Sequence, residues 1–195
     1  MKKHLAWVLM LGLLSLQYAP AQDAAKDASS AKISGIRGEL LSQLAQGEQE
    51  VVDLAGAMPA ETYSWRPMEG VRSVSEVYMH ICGSNYLFPS FIGVKMPEGM
   101  SEDGQKAITE KSKVIDAVKV SFENIRQAIM NTPDADLDKT VKMFGKETSV
   151  RNVLLTGVLH VAEHLGQSIA YARMNHIVPP WTAAEQARQA EKEKK

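Results

Sequence analysis

Apolar residues return every three or four positions along four separate stretches of this chain, the rhythm of helices that bury one face. In the first, about 33–57, Ile33, Ile36, Leu40, Leu44, Val51 and Ala55 keep that spacing, and Gly56 and Pro59 help to end it. Ser73-Val74-Ser75-Glu76 is a capping-box sequence and predicts a second helix through Val74, Val77, Ile81 and Phe88. The third, about 105–131, is the most regular, with Ile108, Ile115, Val118, Phe122, Ile125 and Ile129, and Thr132-Pro133-Asp134 stops it. Thr148 or Ser149 caps a fourth, which runs to about Asn175.

The segments between them lack this rhythm. A connector, Pro59 to Val71, carries Tyr63, Trp65, Arg66 and Pro67. Pro89, Gly93, Pro97, Gly99 and Gly104 break the chain into a long loop holding Phe91, Ile92 and Met96, of the kind that borders a functional cleft. Val141, Met143, Phe144 and Gly145 suggest a hairpin-like turn. Pro179-Pro180 is expected to end the fold, with Trp181 docking back on it and residues 182–195 forming a charged tail. No internal repeat and no convincing strand run is present. The pattern predicts an all-α protein, a four-helix bundle over residues 33–181.

The N-terminus reads differently. Met1-Lys2-Lys3-His4 is a short basic start, Leu5 to Leu16 is apolar apart from Gly12 and Ser15, and Ala19-Pro20-Ala21 places small residues before Gln22. This is the layout of a cleavable signal peptide over residues 1–21, cut after Ala21 and followed by a flexible leader, 22–32. The apolar run is short for a membrane span, so the mature chain is expected to be exported, periplasmic and not stably inserted in a membrane. The 195 residues are 45% hydrophobic with a net charge of −1, ordinary for one globular domain. So balanced a charge gives no footprint for nucleic acid, and no such partner is expected. Cys82 is the single cysteine, which excludes an intramolecular disulfide; beside apolar neighbours it reads as a small buried residue.

Candidate chemistry sits on the histidines, of which there are five. His4 lies in the signal peptide and His176 at a helix end, which leaves His80, His160 and His164. Residues four apart on a helix share a face about 6 Å apart, within reach of one metal ion. At about 100° per residue, Leu154, Val158, Val161, Leu165 and Ile169 form the core stripe of the fourth helix. His160 and His164 lie beside it with Val153, Gly157, Gln167 and Tyr171, and Gly157 leaves space one turn before His160. Asn152, Glu163 and Arg173 fall on the wet side. Histidines on such an edge are often hydrogen-bonded structural residues, whereas a pair at this spacing with a third on another helix is compatible with a metal site. Spacing leaves both readings open. The run His160-Val161-Ala162-Glu163-His164 also matches the His-x-x-Glu-His motif of inverted zinc peptidases, in which the glutamate is the base. That class needs a further carboxylate ligand downstream, and Glu185 is the first one available.

Several elements together carry a resemblance. Trp65-Arg66-Pro67, then Ser73-Val74-Ser75-Glu76-Val77-Tyr78-Met79-His80, then His160-Val161-Ala162-Glu163-His164-Leu165-Gly166-Gln167, and finally Val178-Pro179-Pro180-Trp181 occur in one order over most of the mature chain. In these the sequence resembles the DinB-like (DinB/YfiT) superfamily. The resemblance implies a four-helix bundle in which His80, His160 and His164 bind a divalent metal ion, nickel, zinc or iron. It implies metal-dependent hydrolysis or transfer on a small-molecule substrate, with a non-catalytic metal-binding or stress-associated bundle as the alternative, and a homodimer through helix faces. Thiol-dependent relatives work in the cytoplasm, a setting that an exported chain leaves. Glu163 and Gln167 are the candidates for catalytic assistance, and Tyr78, Asn85 and Gln167 for holding the ligands' other ring nitrogens.

Overall fold

In a computed structural model the chain is mostly helical over the residues described, 33–98 and 107–194. The predicted signal peptide and leader, and Gly99 and Gly104 of the long loop, lie outside the described residues. Among the described residues five α-helices follow one another: α1 (Gly35–Ala57), α2 (Val74–Ser90), α3 (Lys111–Asn131), α4 (Val150–Met174) and α5 (Pro180–Glu193). A short antiparallel hairpin, β1 (Thr140–Met143) and β2 (Lys146–Ser149), precedes α4, with Thr140 opposite Ser149 and Met143 opposite Lys146.

Each start has a local cause. At α2 the Ser73 hydroxyl accepts from the Glu76 amide (3.3 Å) while the Glu76 carboxylate accepts from the Ser73 amide (2.6 Å), so the predicted capping box is present in full. At α4 it is Ser149 that caps, accepting from the Asn152 amide at 3.2 Å. The hairpin turns on Phe144 and Gly145, whose φ angles of 50° and 79° suit a tight two-residue turn of the type favoured between twisted strands.

α1 and α2 each pack on both α3 and α4. The shared core contains Leu44, Leu54, Met58, Met79, Ile81, Phe122, Ile125, Ile129 and Leu154, all essentially buried. Polar ties run between the same elements: Glu48 of α1 pairs with Arg126 of α3, and Arg37 of α1 reaches Asp134 beyond α3 at 2.6 Å. Among the described residues no helix is long and apolar enough to cross a membrane.

Three boundaries differ from the sequence pattern. Pro89 was expected to break the second helix, yet α2 continues to Ser90. Proline has no N–H for the carbonyl four residues back, that of Asn85, and the Asn124 side chain of α3 donates to that carbonyl at 2.9 Å. The third helix begins at Lys111 rather than 105, with Ile108 packed on the core ahead of it. Lys111 instead donates to the Gly56 and Met58 carbonyls at the end of α1, both at 2.7 Å. Pro179-Pro180 does not end the fold but opens α5, because Pro180 takes the first helical turn, where a missing N–H costs nothing. Trp181 packs against the core and α5 is exposed from Ala183 onward, laced by pairs such as Arg188 with Glu185.

Candidate metal centre

The α2–α4 contact brings together three imidazoles that are far apart in sequence. His80 comes from α2, and His160 and His164 from successive turns of α4. One ring nitrogen from each lies within 4.8 Å of the others. Ring centroids stand 4.9 Å apart for His80 and His160, 4.6 Å for His80 and His164, and 4.4 Å for His160 and His164. His164 is buried, and His80 and His160 are half-buried.

The environment favours a neutral ring at His160. Burial first, and then the neighbouring His164, push the His160 imidazole down from 6.5 to about 4; Glu163 opposes this and Arg72 adds to it. A neutral imidazole is the form that ligates a metal. The Nε2 atoms of His160 and His164 face each other at 3.2 Å, while Nδ1 of His160 is buried with no hydrogen-bond partner. Three convergent imidazole nitrogens fit a borderline divalent ion such as zinc, nickel or iron(II).

Around this cluster the candidates separate. Glu163 is exposed. Gln167 turns inward, its Oε1 2.8 Å from His164 Nδ1, and its Nε2 donates to the Tyr171 hydroxyl at 3.1 Å. Tyr171 in turn donates to the Arg72 carbonyl at 3.1 Å, and its ring meets Trp65 edge-on at 5.4 Å. Tyr78 and Asn85 have core partners: Tyr78 donates to Met58 Sδ at 3.7 Å, Asn85 to Ser121 Oγ at 3.1 Å. His176 stands apart, exposed and left-handed (φ 60°) just beyond α4.

Gly157 does not leave the space expected of it. A Cβ there would come 2.9 Å from Ile125 Cδ1 and 3.3 Å from Phe88 Cβ. Glycine at this position lets α3 and Phe88 close on α4, and Phe88 then packs against His160 with centroids 5.3 Å apart. From Phe88 a run of rings continues to Phe144 (6.4 Å) and on to Phe91 (4.9 Å). Ile92, Gly93 and Val94 of the long loop border a cavity of about 460 Å³ together with Asn124, Asp136 and Lys139; none of the three histidines lines it.

Tyr171 was legible only as a member of the histidine stripe, one turn beyond Gln167. The Arg72 carbonyl was not legible at all, since backbone acceptors leave no trace in side-chain pattern.

A family model described as the DinB superfamily matches residues 43–168. No curated protein matches the chain. Among solved structures, a DinB-like protein from Bacillus cereus superposes with a TM-score of 0.65 at 18% identity, covering 72% of this chain and 93% of that one. A DinB-like protein from Bacillus subtilis gives 0.58 at 21% identity, again over 72% and 93%. A conserved protein from Enterococcus faecalis gives 0.59 at 13%, over 72% and 97%. Similarity at these identities concerns the fold.

Proposed function

The chain belongs to the DinB superfamily, and from that premise we propose that it is a four-helix bundle holding one divalent metal ion on His80, His160 and His164. The observation that carries this reading is the convergence of one nitrogen from each ring within 4.8 Å. Three neutral imidazoles leave coordination positions for water or substrate, where a bound ion supplies Lewis-acid chemistry. The protein's own part is to hold two ligands one helical turn apart on α4 and to set the third against them through the α2–α4 packing. Burial keeps the His160 ring neutral rather than cationic at neutral pH.

The reaction we propose is metal-dependent hydrolysis or transfer on a small molecule. Exposure of Glu163 argues against the peptidase alternative, since a base for metal-bound water belongs inside the cleft. We further propose that the chain is exported and cleaved after Ala21; mature protein recovered from its native host should begin at Gln22.

Protein purified without chelators should carry nickel, zinc or iron in stoichiometric amount, and His160→Ala should lose it. Wild-type protein that holds no metal and takes up none of the three on titration would sink the proposal.

A further inference from the structure

The hydrogen bonds behind His164 admit one direction only. We propose that Gln167 is a positioning residue that locks His164 in its Nδ1–H tautomer, and that the Arg72 carbonyl, through Tyr171, dictates which way the Gln167 amide faces.

The direction is set at an atom with no choice. A backbone carbonyl only accepts, so the Tyr171 hydroxyl, 3.1 Å from Arg72 O, commits its single proton there. The Tyr171 oxygen must then accept from Gln167, also 3.1 Å away, which turns the amide NH₂ towards Tyr171 and Oε1 towards His164. The flipped amide would require one hydroxyl proton to serve two acceptors. Oε1 only accepts, so His164 Nδ1, 2.8 Å from it, carries the hydrogen. In a neutral ring that leaves the lone pair on Nε2, the atom 3.2 Å from His160 Nε2.

One further atom follows. Facing a bare Nε2 on His164, His160 Nε2 is the donor of that contact, so its proton is not on Nδ1. His160 Nδ1 is then a bare lone pair, which accords with its burial without a hydrogen-bond partner.

The tautomer stands independently of any ion; that it presents Nε2 to a metal rests on the function proposed above. Partners of this kind, acting through a ligand's second ring nitrogen, change metal affinity by about 10–100-fold.

The test is nitrogen NMR of metal-free protein with ¹⁵N-labelled histidine at pH 7.5, beside zinc titration. Wild-type His164 should show a protonated Nδ1 and an unprotonated Nε2. Gln167→Leu should mix the two tautomers and weaken zinc by about 10–100-fold. Tyr171→Phe, which frees the amide to flip, should mix them with the glutamine still present. Gln167→Glu, whose carboxylate only accepts, should keep Nδ1 protonated. A proton on Nε2 of wild-type His164, or an unchanged tautomer in both Gln167→Leu and Tyr171→Phe, overturns the proposal. The predicted tautomer in protein that takes up neither zinc, nickel nor iron would uphold the lock and sink only the metal reading.

Discussion

Glu163 and His164 are adjacent in sequence and opposite in setting, the first exposed and the second buried. A helical wheel separates them because about 100° of rotation is enough to move a side chain from solvent to core. The three histidines and the inward Gln167 were legible in the same way, from residue type and spacing. Tyr78 and Asn85 were not, because hydrogen-bonding capacity does not reveal which partner a side chain meets; here these are Met58 and Ser121. The apolar neighbours of Cys82 predict a small buried residue, and it is fully buried, with Sγ 3.5 Å from the Ala117 carbonyl. Burial raises its thiol from 9.0 to about 11. At pH 8 iodoacetamide should therefore leave native protein unlabelled while modifying it in denaturant. A folded pKa above the unfolded one means that the stabilisation is complete below pH 9 and is lost as pH rises towards 11. Tyr63 and Tyr78 shift in the same sense, so the informative quantity is the difference from Cys82→Ala. Between pH 8 and 10.5 wild type should lose roughly 1–2 kcal/mol more than that variant in urea unfolding.

At the scale of elements, helix starts signalled by local chemistry were readable, and boundaries that depend on another helix were not. Ser73 and Glu76 announce α2 because both halves of the capping box lie within one turn. Pro89 gave the wrong end because the group that completes the last turn, Asn124, belongs to α3. Asn124→Leu leaves the Asn85 carbonyl without that donor and should cost about 1–3 kcal/mol in chemical denaturation, fraying the last turn of α2 first. Gly157 shows the same limit, since the pattern marked it as space and Ile125 and Phe88 fill it. Alanine there gains up to about 1 kcal/mol of helix propensity but must displace Ile125 and Phe88. Overpacking of about 1–3 kcal/mol should win, and Gly157→Ala should melt lower than wild type. The misread end of the fold has a local cause: Pro180 suits the first turn of a helix as well as it suits a stop.

Across the whole molecule, the periodicity of four segments was sufficient to foresee a helical fold, because each amphipathic stripe needs a partner face. It could not foresee which helices meet, and the site depends on that pairing. His80 joins His160 and His164 only because α2 packs on α4. A metal ion held by all three would therefore tie two helices together and stabilise the folded chain alone, since the unfolded chain has no such cluster. At a free metal concentration one hundred times Kd the gain is about 2.7 kcal/mol. For a domain of this size each kcal/mol moves the midpoint by about 2–4 °C, so chelation should lower Tm by roughly 5–10 °C. His80→Ala removes the one proposed ligand on α2, and its Tm should respond far less to added zinc or to chelator. Glu163→Gln, altered at an exposed position beside His164, should keep the full response. An equal response in wild type and His80→Ala would mean that α4 binds the ion without α2, and that the ion does not join the two helices.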